Sequence, residues 1–206
     1  LTNRRILLLH GLTKSPMVFC LFFNNLENRG CYCYAPTLSG HRNNPPYAKE
    51  VSLHNFISEL DEYIESLSLG GKSEIQVVGH SFGALLALAS IQKYEKLISK
   101  LVLISPPVEF RNLGTRLLLP LLRFIPENIA RHLGSIRKSS VSDGNYDLSS
   151  AYSVNALCVM SQLRKLVLGT NTNFNKPSLL IQSTYDHHIN PYSLYYLKNN
   201  LLGDSA

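Results

Sequence analysis

Gly79-His80-Ser81-Phe82-Gly83 lies between an apolar, strand-like run at 74–78 and an apolar, helix-like run at 82–94. A serine in that setting is forced onto a sharp strand-to-helix turn. Its hydroxyl then stands at the edge of a sheet, and the N-terminus of the following helix is aimed at it. Glycines at 79 and 83 let strand and helix pass close together. The chemistry this suits is nucleophilic attack by Ser81. The plainer alternative is a Gly-Ser-Gly turn with no reactive role. An unaided hydroxyl is a poor nucleophile, so attack needs a histidine to take its proton and a carboxylate to orient that histidine. A developing oxyanion needs hydrogen-bond donors already in place.

The rest of the chain must position these groups. Residues 4–10 read as a buried parallel strand. Residues 11–16 read as a loop. Residues 17–28 have helical spacing, with Val18, Leu21, Phe22 and Leu26 on one side and Gly30 as the stop. A second strand over 31–35 closes at Pro36, and a loop over 37–49 follows. Ser52 is placed to cap a helix over 53–67, whose inner stripe is Ile57, Leu60, Ile64 and Leu67. Strands over 100–104 and 178–182, and a helix from Pro191 to about Leu201, complete the pattern. Strands alternating with helices predict an α/β fold, a mostly parallel sheet with helices on both faces. One stretch breaks the alternation. Between 105 and 176 no strand is evident, while 116–124 and 152–167 look helical and 139–150 looks like loop. That is too long for an ordinary connection. It reads as a helical cap, residues 106–176, over the strand ends of a core made of 1–105 and 177–206.

Composition bounds the function. The 206 residues are 45% hydrophobic and 17% charged, which fits one globular domain and excludes a disordered chain. Net charge is +6. The excess gathers in Arg111, Arg116, Arg123, Arg131, Arg137 and Lys138, against Glu127 alone. No nucleic-acid-binding motif accompanies it, so no nucleic-acid partner is expected. A basic, leucine-rich segment suits weak contact with an anionic membrane surface, or simply a solvated face. Of the four cysteines, Cys31 and Cys33 point the same way on one strand and cannot easily bridge. The cysteines read as small buried hydrophobes in a reducing compartment. With the chain running directly into a strand at its start, a cytoplasmic location is expected. No metal site, P-loop or dinucleotide fingerprint is present, so no cofactor is expected.

Three features, in order, resemble the α/β-hydrolase superfamily, and within it the cap-bearing carboxylesterase and monoacylglycerol-lipase-like serine esterases. They are His10-Gly11 after the first strand, the Gly79-His80-Ser81-Phe82-Gly83 elbow, and Tyr185-Asp186-His187-His188-Ile189-Asn190-Pro191 after the last strand. The resemblance covers nearly the whole chain. It implies Ser81 as nucleophile, Asp186 as the triad acid, and the backbone N–H groups of Leu12 and Phe82 as the oxyanion hole. It implies supporting roles for His10, Gly11, Gly79, His80 and Gly83, with His10 hydrogen-bonded inside its loop and His80 facing into the fold. The alternative for Asp186 is a loop carboxylate capping the helix at Pro191. His187 and His188 lie too near the acid in sequence to be its partner. His41 and His54 read as surface residues, though His41 could border the pocket, and His132 falls in the cap. The resemblance puts the histidine a few tens of residues after the acid, yet 189–206 contain none. The last strand, the histidine loop and the closing helix are therefore expected beyond this chain. The alternative is a fold that has lost its base. Cap side chains such as Leu118, Leu119, Leu122, Leu157 and Met160 could hold an acyl chain. The implied substrate is an apolar small-molecule ester, of short or medium chain or a monoacylglycerol. The rival readings are a thioesterase and a catalytically inactive binding protein.

Overall fold

Ile6-Leu7-Leu8-Leu9 is apolar on both faces, and it becomes an interior strand. The computed structural model describes residues 4–41, 51–71, 73–137, 151–170 and 173–202. In chain order they form β1 (Arg5–Leu9), a 3-10 turn (Pro16–Phe19), α1 (Cys20–Glu27), β2 (Tyr32–Tyr34), α2 (Leu53–Leu67), β3 (Ile75–His80), α3 (Phe82–Tyr94) and β4 (Ile98–Ile104). Then come α4 (Leu113–Leu122), α5 (Glu127–Ala130), β5 (Ser135–Arg137), β6 (Ala151–Ser153), α6 (Val154–Leu168), β7 (Ser178–Ile181) and α7 (Tyr192–Asn200). The main sheet runs β2-β1-β3-β4-β7, and every pair in it is parallel.

Register is what positions the site. Leu9 pairs with Gly79, His80 with Ile104, and Ile104 with Ile181. The C-terminal ends of β1, β3, β4 and β7 therefore lie along one rim, and the segments leaving them meet there. Alternation on the strands divides the core. Leu7, Leu9, Ile75 and Val77 pack with α2, α3 and α6 on one face. Ile6, Leu8 and Val78 pack on the other with Phe19, Cys31 and Cys33. The cysteines are free, and Cys31 and Cys33 are both buried. α3 is buried almost all round, as its Phe82-to-Ile91 sequence requires. Ser52 caps α2, its hydroxyl accepting from the Asn55 N–H while Asn55 returns the bond.

Two expectations are corrected. The helix expected over 17–28 turns a different face inward: Met17, Val18, Leu21 and Phe22 are exposed, while Phe19 is buried and Phe23 and Leu26 pack on the core. Its first three residues belong to a 3-10 turn begun at Pro16. Three residues per turn followed by 3.6 shifts the phase of every later side chain. The stretch between β4 and β7 does contain strands. β5 and β6 pair antiparallel, Ser135 with Ser153 and Arg137 with Ala151. The loop expected over 139–150 and most of that over 37–49 lie outside the described residues.

Candidate active site

The turn between β3 and α3 is strained. Ser81 has φ 54 and ψ −116, a backbone geometry that costs an L-residue energy. Its surroundings hold it there. The Ser81 N–H donates to the Ile104 carbonyl at 2.8 Å, and the Ser81 carbonyl accepts from the Ala84 N–H at 2.8 Å. The flanking glycines are required by contact. A Cβ on Gly79 would stand 2.3 Å from the Gly83 oxygen, and one on Gly83 only 2.0 Å from the Leu9 oxygen. A Cβ on Gly11 would lie 3.2 Å from His80 Nδ1 and 3.3 Å from Ser81 Cβ. The segment after β1 thus crosses directly over Ser81.

That segment is oriented by His10, which is fully buried. The Leu38 N–H donates to His10 Nε2 at 3.1 Å, so the ring proton sits on Nδ1 and donates to the Gly11 carbonyl at 2.9 Å. Burial, with His41 and His80 nearby, lowers the His10 pKa from 6.5 to about 4 against the pull of the Gly11 carbonyl. The Lys14 N–H also donates to that carbonyl, at 3.0 Å. In a trans peptide C=O and N–H point opposite ways. Holding the Gly11 carbonyl therefore turns the Leu12 N–H to the other side. Phe82, the first residue of α3, has no intrahelical acceptor for its N–H. Neither the Leu12 nor the Phe82 N–H makes a hydrogen bond among the described residues.

His41 is a second anchor, and it corrects the surface role expected from sequence. It is buried. Its Nδ1 meets the Ser39 carbonyl at 2.8 Å, and its Nε2 meets the Leu12 carbonyl. Its ring packs edge-on to His10, with centroids 4.8 Å apart. Ser39 in turn donates from N–H and hydroxyl to the Glu59 carboxylate at 2.9 and 2.8 Å, tying this loop to α2. Nothing in the spacing of Gly40-His41 distinguishes such a strut from a solvated loop histidine.

Asp186 stands on the segment after β7. Its Oδ1 accepts from the His188 and Ile189 N–H groups at 2.8 and 3.0 Å, and its Oδ2 from the Gln182 side-chain amide at 3.0 Å. Burial pushes its pKa up, but these donors and His188 outweigh that and leave it below the ordinary aspartate value. Asp186 therefore caps its own loop. Pro191 occupies the N-cap position of α7, and there Asn190 Oδ1 accepts the Tyr192 N–H at 3.0 Å.

Ser81, Asp186 and the Gly11-Leu12 segment border one cavity of about 660 Å³. Its far wall is apolar, made by Leu118, Leu119 and Leu122 of α4 and Leu157 and Met160 of α6. His80, expected to face into the fold, is half-buried and also borders this cavity. Burial and then Lys14 lower its pKa. His188 borders the cavity as well and is exposed, as is His187. His54 lies on exposed α2 surface, and His132 is exposed beside α5 with its ring against the Asn128 carbonyl at 2.6 Å. Among the described residues no histidine is hydrogen-bonded to the Ser81 hydroxyl.

The family model described as "Alpha/beta hydrolase family" matches residues 6–194. None of the curated proteins matches this chain. Solved structures resemble it over nearly its full length. One, reported with LipS and LipT, two metagenome-derived lipolytic enzymes, has a TM-score of 0.79 at 19% identity, covering 97% of this chain and 80% of that one. The monoacylglycerol lipase of Paleococcus ferrophilus has a TM-score of 0.74 at 18% identity, covering 96% and 79%. A soluble variant of monoglyceride lipase from Saccharomyces cerevisiae, solved with a substrate analog, has a TM-score of 0.76 at 15% identity, covering 97% and 74%. At these identities the likeness is one of fold.

Proposed function

This chain belongs to the alpha/beta hydrolase family, and from that premise we propose that it hydrolyses apolar carboxylic esters through an acyl-enzyme on Ser81. The observation that carries the reading is the strained Ser81 opening, under the Gly11-Leu12 segment, into the same apolar-walled cavity as Asp186. In this reading Ser81 Oγ attacks the ester carbonyl carbon while a histidine takes its proton. The negative oxygen accepts from the Leu12 and Phe82 N–H groups. The C–O bond then breaks, and the alcohol leaves with the proton held by the histidine. Water, deprotonated by the same base, attacks the acyl-enzyme and releases the acid. Asp186, ionised at neutral pH, orients the base.

The segment at 106–176 acts as the cap and supplies the acyl-binding wall. The base needs a separate argument. His10 Nε2 and Nδ1 are both committed to backbone partners, and both ring nitrogens of His41 face carbonyls. His187 and His188 follow the acid on its own loop, where the Asp186 carboxylate already accepts the His188 backbone N–H. The reading therefore needs a base other than these four, a histidine whose ring reaches the Ser81 hydroxyl.

The test is intact mass of protein expressed from the full reading frame, before and after treatment with a fluorophosphonate. One adduct, absent in Ser81→Ala, supports the reading. No adduct on folded protein sinks it in favour of a binding protein. Parallel oxyester and thioester assays on the labelled species then separate an esterase from a thioesterase.

A further inference from the structure

A second cavity, of about 320 Å³, lies behind the wall that α4 gives to the first. The helix turns Leu118, Leu119 and Leu122 to the cavity at Ser81, and Leu113, Arg116, Leu117 and Pro120, on its opposite face, to the second. The polar side of this second cavity is built from three groups. Glu109 is fixed through its backbone, whose N–H donates to Ser193 Oγ at 2.9 Å and whose carbonyl accepts the Asn190 N–H at 2.8 Å. Arg164 of α6 is fixed by its Nε, which donates to the Val108 carbonyl at 2.7 Å. Arg116 comes from α4. Glu109 Oε2 lies 3.7 Å from Arg116 Nε, and its Oε1 lies 3.7 Å from Arg164 Nη2. At that separation the charges attract, but no hydrogen bond forms. The other guanidinium N–H groups of Arg116 and Arg164 have no acceptor among the described residues. Arg123 brings a third positive charge. Burial lowers the Arg164 pKa, and Arg123 lowers it further, against the pull of Glu109 and Tyr196. One carboxylate therefore answers three guanidinium groups beside a partly desolvated cavity.

We propose that this second cavity binds a monocarboxylate with a short apolar chain, its carboxylate between the unpaired N–H groups of Arg116 and Arg164 and its chain against Phe110, Leu113 and Leu117. A guanidinium presents a planar fork that matches a carboxylate, and such charged hydrogen bonds are the strong ones. An inorganic anion would answer the charge and leave the apolar walls in water. A neutral molecule would cover those walls and leave the charge unanswered. The volume sits at the low end of ligand cavities, which suits a small acid. Glu109 and Arg164 are tied to backbone groups before anything binds, so little ordering is lost on binding. Phe110 borders both cavities and α4 walls both, so an acid seated here packs on the reverse side of the helix that carries Leu118, Leu119 and Leu122. The proposal needs no reactivity at Ser81.

The experiment is titration of the folded chain with hexanoate near neutral pH, read by calorimetry and by the rise in melting temperature. Hexanoate should bind, with hexan-1-ol and inorganic phosphate each about tenfold weaker or more. R116Q removes one guanidinium from a half-exposed position and should weaken hexanoate about tenfold or more. L113D sets a negative charge on the cavity wall and should abolish binding. Leu113 is exposed and opens α4, where an acidic residue suits the helix dipole, so this variant should fold. L118W narrows the cavity at Ser81 on the opposite face of the helix and should leave hexanoate binding unchanged. No binding up to millimolar hexanoate overturns the proposal. Equal binding of hexan-1-ol makes the cavity a plain apolar groove, and equal binding of phosphate makes it an unspecific cationic spot; either result overturns it. So does unchanged affinity in R116Q and L113D. A loss in L118W as large as that in R116Q would place the acid beside Ser81 instead, and that too overturns it.

Discussion

His10 offers a sharp test of how the loop over Ser81 is held. In the native fold its Nε2 accepts the Leu38 N–H, and a proton added there would set donor against donor. The folded ring accordingly titrates near pH 4, and the unfolded ring near 6.5. Between these values the unfolded chain binds the extra proton, so stability is full above pH 6.5 and is lost as pH falls toward 4. Because the ring is fully buried, solvent does not screen the effect, and the difference corresponds to about 3 kcal/mol across that window. The perturbation is His10→Asn, which keeps a donor near the Nδ1 position and cannot titrate. Urea unfolding of both proteins at a series of pH values from 7.5 to about 4.5 gives the comparison. Wild type should lose about 2.5 kcal/mol more than the variant over that range, while all other groups cancel in the difference. The variant should be less stable than wild type at pH 7.5, where one of its two backbone hydrogen bonds is missing, and closer to it at pH 4.5. Parallel pH profiles for the two proteins would refute the neutral, doubly hydrogen-bonded ring, and with it the argument that His10 turns the Leu12 N–H.

Other substitutions probe the same rim. Ser81→Gly removes the side chain from a positive-φ position and should raise stability by about 1 kcal/mol while abolishing fluorophosphonate labelling; a loss of stability would mean that the turn is not strained. Gly83→Ala drives a Cβ into the Leu9 carbonyl and should cost about 3 kcal/mol or more, read as a collapse of soluble yield or melting temperature. Asp186→Asn keeps an oxygen for the His188 and Ile189 N–H groups but loses the charge and sets its amide against that of Gln182, so melting at pH 7 should fall modestly while labelling slows by at least about a hundredfold. Since the folded Asp186 pKa is depressed, its carboxylate adds stability above the ordinary aspartate value and loses it as pH falls through the folded one. The Asn variant should lack that acid-side loss.

What the sequence disclosed and what it hid follow from the range of the forces involved. The apolar runs at residues 6–9 and 101–104, the latter within the strand read over 100–104, and the elbow between β3 and α3 were legible because burial on both faces and a glycine contact leave local signatures. Cys31 and Cys33 were placed on one side of their strand by the two-residue period alone, and both are buried. The inner face of α1 was not legible, because a 3-10 start changes the periodicity that the reading assumed. β5 and β6 are three residues each, too short for alternation to show. His41 escaped notice because its partners, the Ser39 and Leu12 carbonyls, are backbone groups, and no side-chain pattern records them. Asp186 was singled out by the resemblance, from its place after the last strand, but the Gln182 amide that helps hold its charge carries no sequence signal.

The order of pairing along the sheet also bears on how the chain folds. β3, α3 and β4 form a local unit in which Ile75 pairs with Ile98. β1 and β7 join that unit only across long loops, since Arg5 pairs with Ile75 and Leu101 with Ser178. Long closures cost entropy before any contact repays it, so distant strands tend to add late. Ser81 belongs to the unit that can form early, whereas the Gly11 segment that crosses it and the loop that carries Asp186 both come with the late strands. A chain emerging from synthesis would thus hold its serine turn in outline well before it holds the cavity that the turn borders.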